Sequence, residues 1–112
     1  MDDYLKIFEK FKDVKEIEDF ITDVNYLRYY YRIGQYQQMR QHIHSLTQKY
    51  VVEAFIWNTV NRVQPITNEQ SYINAENFLQ IQGAKILVKN IDNYKQHLTK
   101  EEIDFIELMN SL

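Results

Sequence analysis

An all-α fold, a compact bundle of five or six helices built around an antiparallel helical hairpin, is what this chain of 112 residues predicts. Three observations predict it. Apolar residues recur at spacings of three and four along most of the chain, the period that lines one stripe of a helix. Two such stripes adjoin: Ile17, Phe20, Ile21, Val24, Leu27 and Tyr31, then Tyr36, Met39, Ile43, Leu46 and Tyr50. Between them stands Gly34, one of two glycines in the chain, suited to the left-handed residue that closes a helix. A short connection there folds the second helix back so that the stripes bury each other.

Taken in order, Tyr4, Leu5, Ile7, Phe8 and Phe11 predict a short first helix. Asp13 followed by Glu16 has the form of a helix start, so the second helix runs from about Val14 to Ile33. The third begins after Gly34. Past Tyr50 the run VVEAFIWNTV is apolar on nearly every side, as a central helix of a bundle is, and Gln64-Pro65 ends it because the residue before proline is pushed out of helical conformation. Thr67, Asn68 and Ser71 are each acceptable caps for the next helix, which carries Leu79, Ile86, Leu87, Ile91, Tyr94 and Leu98. Gly83 inside it costs about 1 kcal/mol relative to alanine, which points to close approach of a neighbour. Thr99 to Glu102 forms a capping box, and the last helix carries Ile103, Phe105, Ile106, Leu108 and Met109.

The order Tyr30, Gly34, Tyr36, Met39, with Ile43 and Leu46 after it, resembles one helical pair of a tetratricopeptide repeat, in which a glycine separates the helices and a small residue follows on the second. Met39 is larger than the alanine usual there. The resemblance covers only this hairpin, no second copy occurs, and stacked repeats need about three units to bury a continuous core. It implies the geometry of a helical pair and no more.

Length and a 45% hydrophobic content fit one domain, residues 1–112, able to close a core without disulfides or metal. The absence of cysteine excludes a disulfide framework, a thiol nucleophile and a cysteine zinc site. The opening MDDYLKIFEKFKD lacks the continuous apolar region of a signal peptide. No apolar run approaches the ~20 residues of a membrane span. A cytoplasmic protein with no membrane contact is expected. Heavy use of isoleucine, asparagine, lysine, tyrosine and phenylalanine, with little alanine, glycine or proline, points to an AT-rich genome such as that of a low-GC bacterium, its phage or a mobile element.

Charge is segregated along the chain. Residues 1–23 carry net −4, residues 24–52 carry net +4 from Arg28, Arg32, Arg40 and Lys49 with no acid, and residues 53–112 carry net −3, together the chain's −3. The bland explanation is that the basic hairpin neutralises acids within its own domain. Tyr26, Tyr29, Tyr30 and Tyr31 surround Arg28 and Arg32, and successive helix positions point about 100° apart, so some must face outward. Exposed tyrosine with arginine is the chemistry of protein contact hot spots.

These considerations select Tyr26, Arg28, Tyr29, Tyr30, Arg32, Arg40 and His44 as a partner-binding set. The expected function is a non-enzymatic interaction module, an adaptor, inhibitor or regulator that acts by steric binding through the hairpin. The aromatic excess also allows a homodimer. The alternative is a nucleic-acid-binding regulator using the basic 24–52 segment, rings stacking on bases and arginines meeting phosphates. Four cations neutralise at most about four phosphates, which ranks that reading second. The last helix, with Glu101, Glu102, Asp104 and Glu107, is a poor DNA reader. His42 and His44, two apart, point away from each other, unlike the i, i+4 pair of a helical zinc site. Without a phosphate loop, nucleophile elbow or HExxH, no catalytic residue, metal or cofactor is assigned.

Overall fold

Gly34 turns the chain back. Its φ of +75° lies in the left-handed region, and two hydrogen bonds close the helix before it, Gly34 N–H to Tyr31 O at 3.2 Å and Gln35 N–H to Tyr30 O at 2.9 Å. That pair of bonds is the Schellman arrangement, which satisfies carbonyls left unpaired at a helix end. A computed structural model describes residues 3–50 and 67–112 of the chain. The VVEAFIWNTV run and Gln64-Pro65, expected as a central helix and its end, lie outside the described residues.

Among the described residues there are five α-helices and no strand, an all-α fold. They are α1 (Leu5–Glu9), α2 (Lys15–Arg32), α3 (Tyr36–Lys49), α4 (Asn68–Asn90) and α5 (Lys100–Asn110), with a 3-10 turn over Tyr94–His97 between the last two. None is long and apolar enough to cross a membrane. The chain parts into two units, Met1–Thr22 with Phe78–Leu112, and Asp23–Asn77.

In the first unit Ile7, Phe8, Ile17, Phe20, Leu79, Leu87 and Ile106 are fully buried. Gly83 of α4 belongs here because Phe20 and Phe8 occupy the space its side chain would need. A Cβ at that position would stand 2.5 Å from Phe20 Cζ, so the close approach expected at this glycine is present. Polar contacts tie the periphery. Lys10 Nζ pairs with Glu102 Oε1 at 2.8 Å, and Asn90 Nδ2 donates to Glu16 Oε2 at 2.9 Å. The capping box read from Thr99 is formed, with Glu102 N–H donating to Thr99 Oγ1 and Thr99 N–H to Glu102 Oε1.

The expected extent of α4 is corrected. Helix α4 stops at Asn90 rather than continuing through Tyr94 and Leu98. The Asn90 side chain bonds back to the Ile86 carbonyl at 2.8 Å as well as to Glu16, a side-chain competitor for helical continuation, and Tyr94 is buried from the 3-10 turn instead. Of the three caps considered for α4, Thr67 is used, accepting from Gln70 N–H at 3.0 Å. Asn68 accepts from Arg40, and Ser71 is buried.

The second unit contains the hairpin. Contacts between the C-terminal half of α2 and α3 pair Tyr31 with Tyr36, Tyr30 and Tyr26 with His42, and Asp23 with Lys49. Partners thus ascend α3 as they descend α2, so the two are antiparallel. Val24, Leu27, Met39, Ile43 and Leu46 fill the seam. Tyr36, expected within that seam, is 40% exposed, because it is the first residue of α3 and the opposing helix has already ended at Arg32. The first turns of α4 lie along the same pair, through Arg40 with Asn68, Tyr31 with Tyr72, and Arg28 with Glu76.

Candidate contact face on the hairpin

With Val24 and Leu27 turned into the seam, the helical period sends Tyr26, Tyr29 and Ile33 to the opposite side of α2, within about 60° of arc. Each is near half exposed: Tyr26 51%, Tyr29 46% and Ile33 46%. A single exposed apolar residue is ordinary on a protein surface, but a contiguous group is not. The rings are arranged as a connected set. Tyr26 and Tyr30 stack with centroids 6.0 Å apart, Tyr30 meets Tyr29 edge-on at 5.8 Å, and the Arg32 guanidinium lies 5.9 Å from the Tyr29 centroid, within range of a cation–π attraction.

His42 anchors this set from α3. Its ring contacts both Tyr26 and Tyr30 at 6.0 Å, and its Nε2 stands 2.8 Å from the Asp23 backbone carbonyl. A carbonyl only accepts, so Nε2 carries the proton and the imidazole is fixed in orientation. The Asp23 carboxylate holds the far end of α3, accepting from Lys49 Nζ at 2.7 Å and Tyr50 OH at 2.9 Å. The ring positions are therefore set by a polar clamp on both sides of one residue.

The seven residues selected from sequence do not form one group. Tyr26, Tyr29, Tyr30 and Arg32 come together. Arg28 points elsewhere, half-buried against Glu76 with Nε at 3.2 Å from Oε1 and Nη2 at 3.2 Å from Oε2, a two-point fork of the kind guanidinium and carboxylate favour. Arg40 and His44 occupy the other flank of α3, where Arg40 donates from Nε and Nη2 to Asn68 Oδ1 at 3.0 and 2.8 Å. There they line a shallow open depression with Tyr36, Gln37, Gln41 and Ser45.

Beside the Arg28 fork, Tyr72 stacks on Tyr31 with centroids 4.1 Å apart and planes 5° from parallel, and its hydroxyl donates to Glu76 Oε2 at 3.3 Å. Burial, followed by the Glu76 charge, pushes the Tyr72 phenol up to about 12. This corner is internal structure. Of the cations in the basic segment, Arg28 and Lys49 thus meet acids of their own unit, the neutralisation that charge segregation suggested.

Sequence reasoning misses one member of the exposed face, Ile33, and the half-buried residue that backs it, His42. In the sequence Ile33 reads only as the end of a helix, though its spacing of four from Tyr29 places it on the same side. The spacing of His42 from His44 addresses only metal binding; among the described residues no group of three or more His, Cys, Asp or Glu could hold a metal ion. The chain matches no protein-family model, no curated protein and no solved structure, so the meaning of this face rests on its own residues.

Proposed function

We propose that the chain is a non-enzymatic protein-interaction module, an adaptor, inhibitor or regulator, that acts by steric binding through the outer face of its helical hairpin. One observation carries this reading: Tyr26, Tyr29 and Ile33 stand near half exposed on the side of α2 turned away from its core, with Arg32 against the Tyr29 ring. Tyrosine gives large contact area at small conformational cost, and arginine adds directional donors, the combination enriched where binding energy concentrates. A rigid backing favours such a face because less freedom is lost on association, and the His42 and Asp23 contacts supply that backing.

The nucleic-acid reading draws on the same rings but has fewer cations to use. Arg28 and Lys49 already meet Glu76 and Asp23, which lowers the number of phosphates the segment can neutralise below the four its sequence suggests.

The test is retention of proteins from a cell extract on the immobilised chain and on its Tyr29→Ala/Arg32→Ala variant, with circular dichroism confirming that both are folded. Proteins held by the parent and lost from the variant are expected. Equal retention on both removes the face as a site for other proteins. Titration with single-stranded and duplex oligonucleotides at two salt concentrations distinguishes the alternative, for which tight and steeply salt-dependent binding is required.

A further inference from the structure

The outer face of α2 is complementary to itself, and we infer that its occupant is a second copy of this chain. The inference deepens the contact-face reading and rests on it. A two-fold axis beside Tyr29, perpendicular to α2, lays two copies of the helix antiparallel, and residues equally distant from Tyr29 on the same flank then meet. On one flank Tyr26, three positions before Tyr29, falls opposite Ile33 of the other copy, four positions after it. Both are near half exposed, so apolar surface meets apolar surface. On the other flank Asn25, four positions before, falls opposite Arg32, three positions after. Both are exposed, and the amide oxygen of Asn25 accepts what the guanidinium donates. Tyr29 pairs with its own counterpart at the axis, where offset stacking of two rings is favourable.

The charge pattern agrees. Residues 24–50 contain no acid, so the pairing buries no carboxylate. The two Arg32 side chains are about 9 Å apart along the helix axes, which keeps like charges from facing each other.

Area sets the strength. A half-exposed tyrosine offers roughly 100 Å², so Tyr26, Tyr29 and Ile33 with their polar rim hide on the order of 500 Å² per copy. The total of about 1,000 Å² lies just below the usual range of specific interfaces. A weak, reversible dimer is therefore expected, populated only at high concentration.

The experiment uses the full chain in sedimentation equilibrium from about 1 µM to several hundred µM, together with single-cysteine variants, which the absence of native cysteine makes unambiguous. The wild type is expected to shift from monomer to dimer, and Tyr26→Ala/Tyr29→Ala to weaken the dimer about tenfold or more. Under mild oxidation Tyr29→Cys should form a disulfide-linked dimer, since Cα atoms beside the axis come within bridging range. Leu108→Cys, exposed on α5, should not.

A chain that stays monomeric throughout the range overturns the inference, as does a dimer unaffected by the double alanine variant. Neither result bears on extract retention, which separately decides whether the face binds any other protein.

Discussion

Gly83 is the residue at which the chain tolerates least. It lies on α4 with the rings of Phe20 and Phe8 where a side chain would go, at 2.5 and 2.9 Å from an added Cβ, and both rings are fully buried and packed edge-on at 5.0 Å. Gly83→Ala therefore overpacks a closed site at a cost of about 1–3 kcal/mol, against which the better helix propensity of alanine returns up to about 1 kcal/mol. A net loss is expected in urea unfolding, and Phe20→Leu in the same chain should recover part of it by making room. Gly34→Ala differs in kind. Nothing lies within 4 Å of its Cβ, and the loss, about 1 kcal/mol, comes from φ +75° alone. The same Phe20→Leu change should leave that loss untouched. Additivity at Gly34 and non-additivity at Gly83 is thus the measurement that separates strain from crowding.

At the scale of an element, α5 shows how a helix start is fixed by both its own residues and a distant one. Thr99 and Glu102 satisfy each other's backbone N–H groups, and Lys10 reaches the same Glu102 carboxylate. The hydrogen bond from Lys10, with those at Thr99, holds the Glu102 carboxyl below its ordinary value of 4.5 despite opposition from burial. A carboxylate depressed in the folded state stabilises fully above its unfolded pKa, and that contribution is lost as pH falls through the lower folded value. Lys10→Met should therefore destabilise the protein at pH 7, and its difference from wild type in urea midpoint should close below pH 4.5. Persistence of the full difference in strong acid would assign the effect to packing of the lysine stem instead. Sequence alone gave the capping box from Thr-Lys-Glu-Glu, but Lys10 lies 92 residues from Glu102 and nothing in local spacing connects them.

For the whole molecule, each of the two units has a filled interior of its own. Leu87 represents the first and Met39 the second, both fully buried. Replacing either by alanine leaves a cavity costing about 2–5 kcal/mol, a large share of the roughly 5–15 kcal/mol by which a domain of this size is stable. Chemical denaturation should show a loss in this range for each variant. A change below about 1 kcal/mol at Met39 would mean that the hairpin seam collapses to fill the space. Charge follows the same division into internal use and outward display. Asp23 and Glu76 take up Lys49 and Arg28, whereas Arg32 stays exposed over a ring.

The sequence by itself determined the all-α class, the hairpin bend at Gly34, the tight place at Gly83 and the cap at Thr99. These depend on period, backbone conformation and bonds across three or four residues, all local properties. It also marked Tyr26, Tyr29, Tyr30 and Arg32 as candidates for display. Which of the surrounding cations would join them was decided only by tertiary structure, because Arg28 and Arg40 find partners on α4 that sequence distance conceals. At the end of α4 a local bond from Asn90 to the Ile86 carbonyl is joined by one to Glu16 on another helix, which sequence distance also conceals. Helical spacing fixes which side chains share a side; what each side meets depends on segments brought from far along the chain.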